Sequence, residues 1–179
     1  MKEFFSQLEK EFKNKFGENI KVWVWGKAFD VKGFYSTGKI GDCIIIWITE
    51  RPSSARFTLK EHNFPDKVDK WFYELLKEES LGNVHLTDFV KIMADSGVYP
   101  TKEELEISAL WMKKEIEKLS EAGKKLIIIA NTHRVEGWMK EYLPEYPIIY
   151  KPFFKHIFRF NSKEKRDKIL REILKEIKK

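Results

Sequence analysis

Apolar residues recur every three or four positions at Phe5, Leu8, Phe12 and Phe16, so the spacing predicts a helix over residues 2–16, stopped by Gly17. Lys21-Val-Trp-Val-Trp25, with valine and tryptophan in alternation, reads as a strand that stops at Gly26. Residues 27–41, with Gly33, Gly38 and Gly41, form a turn-rich connection with room for a hairpin. Cys43–Ile48 and Leu126–Ala130 are continuous apolar runs, the pattern of strands covered on both faces. Val68, Trp71, Phe72, Leu75 and Leu76 predict a helix over 66–79, followed by a short strand at 84–86. Thr101 and Glu104 form a capping box behind Pro100 and open a helix over 102–121, which Gly123 ends. Val135, Trp138 and Met139 mark another helix, 147–150 another strand, and Ile169 to Ile177 a last helix over 163–178. Between these, Phe153, Phe154, Phe158 and Phe160 interleave with Lys155, His156 and Arg159. That stretch reads as one buried strand face, or alternatively as an aromatic and basic surface for single-stranded nucleic acid.

Strands alternating with helices predict a three-layer α/β/α sandwich around a mostly parallel sheet of four or five strands, in one domain over residues 1–179. Composition narrows the class. With 42% hydrophobic and 15% aromatic residues the chain is not disordered, and a lone cysteine, Cys43, excludes a disulfide framework or a cysteine-ligated cluster. The first residues lack a signal-peptide core, and no apolar run nears the roughly 20 residues that span a bilayer. A soluble cytoplasmic protein is expected. Abundant Lys, Glu and Ile beside one glutamine, Gln7, suggest a heat-loving source. No stripe marks a dimer, so a monomer is expected. The net charge of +6 is uneven: Lys151–Lys179 holds eleven basic and four acidic residues, net +7, which leaves −1 for residues 1–150. A basic C-terminal face suits a polyanion such as nucleic acid, or serves only as a solvated amphipathic helix.

Open parallel sheets bind ligands beyond the carboxyl ends of their strands. The residues that follow the predicted strands are Thr49 to Ser54, Thr87 and Asp88, Asn131 to Arg134, and Lys151 with Pro152. They bring carboxylates, cations, hydroxyls and an imidazole to one edge. The chain has no phosphate-cradling P-loop, no dinucleotide fingerprint and no nucleophile elbow, and its four histidines lack ligand spacing. No metal and no cofactor are expected.

The order of these pieces carries a resemblance. Thr49-Glu50-Arg51-Pro52-Ser53 after a buried strand resembles the first motif of the uracil-DNA glycosylase superfamily, nearest to the Gly-Glu-Ala-Pro-Gly of its thermophilic family. Phe64, twelve residues after Pro52, stands near that family's base-stacking phenylalanine. Leu86 to Lys91 resembles its Thr-Asn-Val-Val-Lys segment, Pro100 to Glu104 its Pro-Thr-Pro-Glu-Glu, and Tyr150-Lys151-Pro152-Phe153 its Tyr-His-Pro-Ser. The similarity runs from about residue 40 to the C-terminus.

The resemblance implies a glycosylase-like fold that extrudes a nucleotide, stacks its base and reads the base edge. It implies Glu50 as the group that positions water and Lys151, in place of a histidine, as the stabiliser of the leaving base. Arg51, Pro52, Phe64, Asp88 and Asn131 would bind the base; Ser53, Ser54, Lys155, His156 and Arg159 would hold the nucleic-acid backbone. Asp88 stands where the family has asparagine, so it accepts where asparagine also donates, and it suits an amino-bearing base better than uracil. Arg51 stands where the superfamily has a small residue or Asp/Asn, and the four cluster cysteines have no counterparts. The expected function is DNA binding with excision of a damaged or deaminated base by metal-free hydrolysis, as in DNA repair. The alternatives are a non-catalytic DNA- or RNA-binding module of the same fold, and a hydrolase or transferase acting on small nucleotides.

Overall fold

The computed structural model describes residues 2–20, 22, 43–52, 67–78, 83–95, 97–121, 125–152 and 154–177. The predicted strand at 21–25 (Val22 apart), the hairpin within 27–41, and Ser53, Ser54, Phe64 and Phe153 lie outside the described residues. The elements follow in the order α1 (Lys2–Phe16), β1 (Cys43–Thr49), α2 (Lys67–Glu78), β2 (Asn83–Asp88), α3 (Lys102–Ser120), β3 (Lys125–Ala130), α4 (His133–Tyr142), β4 (Ile148–Tyr150), α5 (Phe154–Phe160) and α6 (Lys163–Ile177).

The four strands form one all-parallel sheet in the order β2-β1-β3-β4. The two continuous apolar runs, β1 and β3, take its centre, where both faces need covering. Alternation along each strand then sorts the core. Ile46, Ile48, Ile128 and Ala130 face α1, α3 and α4, with Phe12, Trp111, Met112 and Met139 among their partners. Ile45, Trp47, Leu86, Ile127 and Ile129 face α2, α5 and α6, with Phe72, Phe154 and Leu174 among theirs. The result is a three-layer α/β/α sandwich.

Gly17 ends α1 at φ 95°, a conformation that favours glycine, and its N–H closes on the Lys13 carbonyl at 2.8 Å. Both bonds of the capping box at Thr101 and Glu104 are made. One reading is corrected. Phe154, Ile157 and Phe158 stand at i, i+3 and i+4, and the segment is the helix α5, not a strand; Phe154 and Ile157 are buried while Phe160 is exposed. The i+2 spacing of Phe158 and Phe160 suggested a strand, but the i+3 and i+4 contacts onto Trp47, Phe72 and Trp71 decide it. No helix among the described residues is long and apolar enough to cross a membrane.

Candidate functional site

From β1 the chain leaves toward β2 across one face of the sheet, and from β3 it leaves toward β4 across the other. Departure in opposite directions opens a crevice between the carboxyl ends of β1 and β3, the usual ligand position in such sheets. Ladder bonds continue past the strands here. Asn131 N–H donates to the Ile48 carbonyl at 3.0 Å, Lys151 N–H to Ala130 at 3.0 Å and Phe89 N–H to Thr49 at 2.8 Å.

Register decides what meets at this edge. Thr49 pairs with Asp88, Ile48 with Ala130, and Ala130 with Tyr150, so Asn131 and Lys151 each lie one residue further on at the same level. Asp88, Thr49, Asn131 and Lys151 thus form one polar row across all four strands. By alternation from Leu86, Trp47, Ile129 and Ile149 the row faces the layer of α2, α5 and α6. Asp88, Thr49 and Asn131 are 3%, 6% and 1% exposed, respectively. Thr49 Oγ1 donates to Asp88 Oδ1. The Trp47 indole N–H donates to Asn131 Oδ1 at 2.5 Å, and the Asn131 amide nitrogen is buried without a hydrogen-bond partner. Lys151 Nζ is ion-paired with Glu176 of α6.

Behind Asp88, on the opposite face, a buried ionic network fixes the main chain that carries it. Lys91 Nζ donates to Thr87 Oγ1 at 2.5 Å, to the Asp88 carbonyl at 2.5 Å and to Glu115 Oε2 at 2.8 Å. His85 Nε2 lies 2.5 Å from Glu115 Oε1. Burial pushes the Glu115 carboxyl up, but the Lys91 charge and the hydrogen bond and charge of His85 outweigh it and hold the carboxyl at about 2. None of these three residues was singled out from sequence as chemistry. The available signal was Glu115 itself, a carboxylate on the inward stripe of α3 beside Met112 and Ile116.

Glu50, one residue past the polar row, points to the other face. Its Oε2 accepts from Arg134 Nη1 at 2.7 Å, and Arg134 Nη2 donates to the Tyr99 hydroxyl at 2.7 Å with the guanidinium 4.3 Å from the Tyr99 ring centroid. A cavity of about 320 Å³ opens there, lined by Glu50, Arg51, Asp95, Val98, Tyr99 and Arg134 among others. Arg51 donates to the Ile92 carbonyl from Nε at 3.2 Å and Nη2 at 3.0 Å, to the Val98 carbonyl at 3.3 Å, and pairs with Glu104 at 3.4 Å. Pro52 is buried.

The structure therefore brings Asp88, Asn131 and Lys151 onto one face, and sets Glu50 and Arg51 on the other. Lys155, His156 and Arg159 lie on α5, where His156 and Arg159 are exposed and Lys155 is half-buried. Thr49 and Arg134, which the sequence set at this edge without an individual role, take part in it, and Tyr99, which it did not place there, joins them. Among the described residues no three His, Cys, Asp or Glu side chains gather as a metal site requires. Neither a protein-family model nor a curated protein matches the chain.

Proposed function

We propose that this chain is a nucleic-acid-binding protein resembling the uracil-DNA glycosylase superfamily, which takes an extruded base against the polar row at the carboxyl edge of its sheet. The observation that carries this reading is the orphaned amide nitrogen of Asn131, buried between Thr49 and Lys151. A buried donor without an acceptor costs about 1–3 kcal/mol, which a ligand carbonyl at that point recovers. Asp88, two strands away, accepts, so an N–H or amino group belongs opposite it. Lys151 lies on the far side, where a positive charge supports a base that leaves as an anion. The row spans three strand spacings, about 14 Å, so a base centred on Thr49 and Asn131 meets both neighbours at its ends. The basic segment Lys151–Lys179 begins at the same edge.

Excision is the second reading, and Glu50 is its residue. Glu50 turns from the row and is held by Arg134, so activation of water by Glu50 requires that bond to open. Oligonucleotides bearing uracil, hypoxanthine, xanthine or an oxidised base test both readings. Tighter binding of one modified strand than of its unmodified parent, lost by at least tenfold in Asn131→Ala, supports base recognition. Release of the free base, abolished by Glu50→Gln, supports excision. Equal affinity for every strand, unchanged in Asn131→Ala, overturns the base pocket.

A further inference from the structure

Away from the sheet edge, α2, α5 and α6 enclose a second cavity of about 530 Å³. Arg166 is among the residues that line it. The guanidinium lies 3.9 Å from the ring centroid of Phe158 and 5.5 Å from that of Trp71, so the aromatic walls hold the cation in one orientation. Its Nε is buried without a hydrogen-bond partner. The nearby carboxylate, Asp167 Oδ1, stands 3.7 Å from that nitrogen and already accepts the Trp71 indole N–H at 2.6 Å. Lys163 and Arg171 complete the cationic lining. Glu74, Glu78 and Asp167 match the three cations in number: Glu78 pairs with Arg171, and Asp167, which accepts from Trp71, faces Arg166 at 3.7 Å, an ion pair beyond hydrogen-bond reach. A guanidinium pinned on aromatic rings with unspent donors offers a planar fork, the geometry that matches a phosphate with two parallel hydrogen bonds.

We propose that this cavity is a phosphate site, with Arg166 as its principal ligand and Lys163 beside it, and that the phosphate belongs to a nucleic-acid strand. The source rests on the nucleic-acid reading above; the phosphate chemistry rests on the cavity alone. Arg166 belongs to the segment of net charge +7, and α5 and α6 lie in the layer that the polar row faces. A strand whose base enters the row has its backbone drawn along this layer.

The test follows the arginine Nε–Hε resonances of the full chain by ¹⁵N NMR, with Arg166 assigned by its loss in Arg166→Lys. Two probes are titrated separately: inorganic phosphate, and a short unmodified single-stranded DNA. Both are expected to shift the Arg166 signal, the DNA at lower concentration. Arg166→Met, which keeps a long apolar stem against Phe158, is expected to weaken DNA binding about fivefold and to lower the salt slope by about 0.7. Arg166→Lys, which keeps the charge, is expected to fall between Met and wild type, while Asn131→Ala keeps the Arg166 shift. An Arg166 signal that neither probe moves overturns the proposal. DNA that binds without moving it, with Arg166→Met at wild-type affinity, overturns the phosphate site and leaves the base pocket standing. Phosphate that moves the signal while DNA does not bind overturns the nucleic-acid source and the function proposed above, and leaves a free-phosphate site.

Discussion

Lys91 spends its three N–H donors inside the protein, on Thr87, on the Asp88 carbonyl and on Glu115, and both its side chain and that of Glu115 are almost fully buried. Removing one partner of such a pair leaves a charge in low dielectric. Lys91→Met is therefore expected to cost about 3–5 kcal/mol in urea unfolding at neutral pH, with part of the loss recovered in the double variant with Glu115→Gln. The same pair fixes a pH dependence. The Glu115 carboxyl, ordinarily at 4.5, is held at about 2 when folded, so it binds its proton more weakly folded than unfolded. Its contribution is complete above the unfolded value and is lost as pH falls from there through about 2. A shift of this size corresponds to about 3 kcal/mol. The stability difference between wild type and Glu115→Gln is expected to shrink by about that amount between pH 5 and pH 2, read from unfolding curves across the range. A difference that does not change with pH would show that Glu115 titrates alike in the folded and unfolded protein, and one that grows in favour of wild type as pH falls would show that it is protonated when folded.

Arg51 acts on elements more than on a ligand. Its guanidinium ties the end of β1 to the carbonyls of Ile92 and Val98 and to Glu104 in the first turn of α3, so one side chain fixes the loop from β2 into α3. Arg51→Met keeps the stem and loses these bonds. It is expected to cost about 1–2 kcal/mol and to raise hydrogen exchange selectively over residues 92–105. Unchanged protection there, with loss only of ligand binding, would return Arg51 to the base-binding role that the motif resemblance implies. The elements themselves were largely legible. The runs CIIIWIT and KLIIIA could only be central strands, because such stretches need cover on both faces. The α5 helix was misread because Phe158 and Phe160 stand two apart, and the exposed Phe160 carries no packing information. The network of His85, Lys91 and Glu115 was missed because its members lie on β2, on the loop after it and on α3, and the chain order does not announce their contact. Glu115 on the buried stripe of α3 was the one local sign of it.

At the scale of the molecule, two features that look independent along the chain fall on one side. Alternation along a strand tells which residues share a face, so Asp88, Asn131 and Lys151 were each legible as strand-end candidates. Their common level was not legible, because it depends on the register of four strands separated by helices. Glu50 shows the cost of reading position without parity, since one residue past Thr49 it belongs to the opposite face. The basic segment follows Lys151 directly into α5 and α6, which pack on the face toward which the polar row points. A body of net charge −1 with a +7 segment on one layer draws a polyanion to that layer rather than to the molecule as a whole. Neutralising two cations there is then not equivalent to neutralising two elsewhere. Arg159→Gln with Lys165→Gln, both exposed positions on this layer, is expected to weaken single-stranded DNA binding about tenfold and to reduce the salt slope by up to about 1.4. Lys10→Gln with Lys118→Gln removes the same charge from exposed positions on the opposite layer, and is expected to leave affinity within about twofold. Fluorescence anisotropy across a salt series separates the two pairs. Equal losses from both would mean that net charge alone governs association, and that the shared face of row and basic helices does not guide the strand.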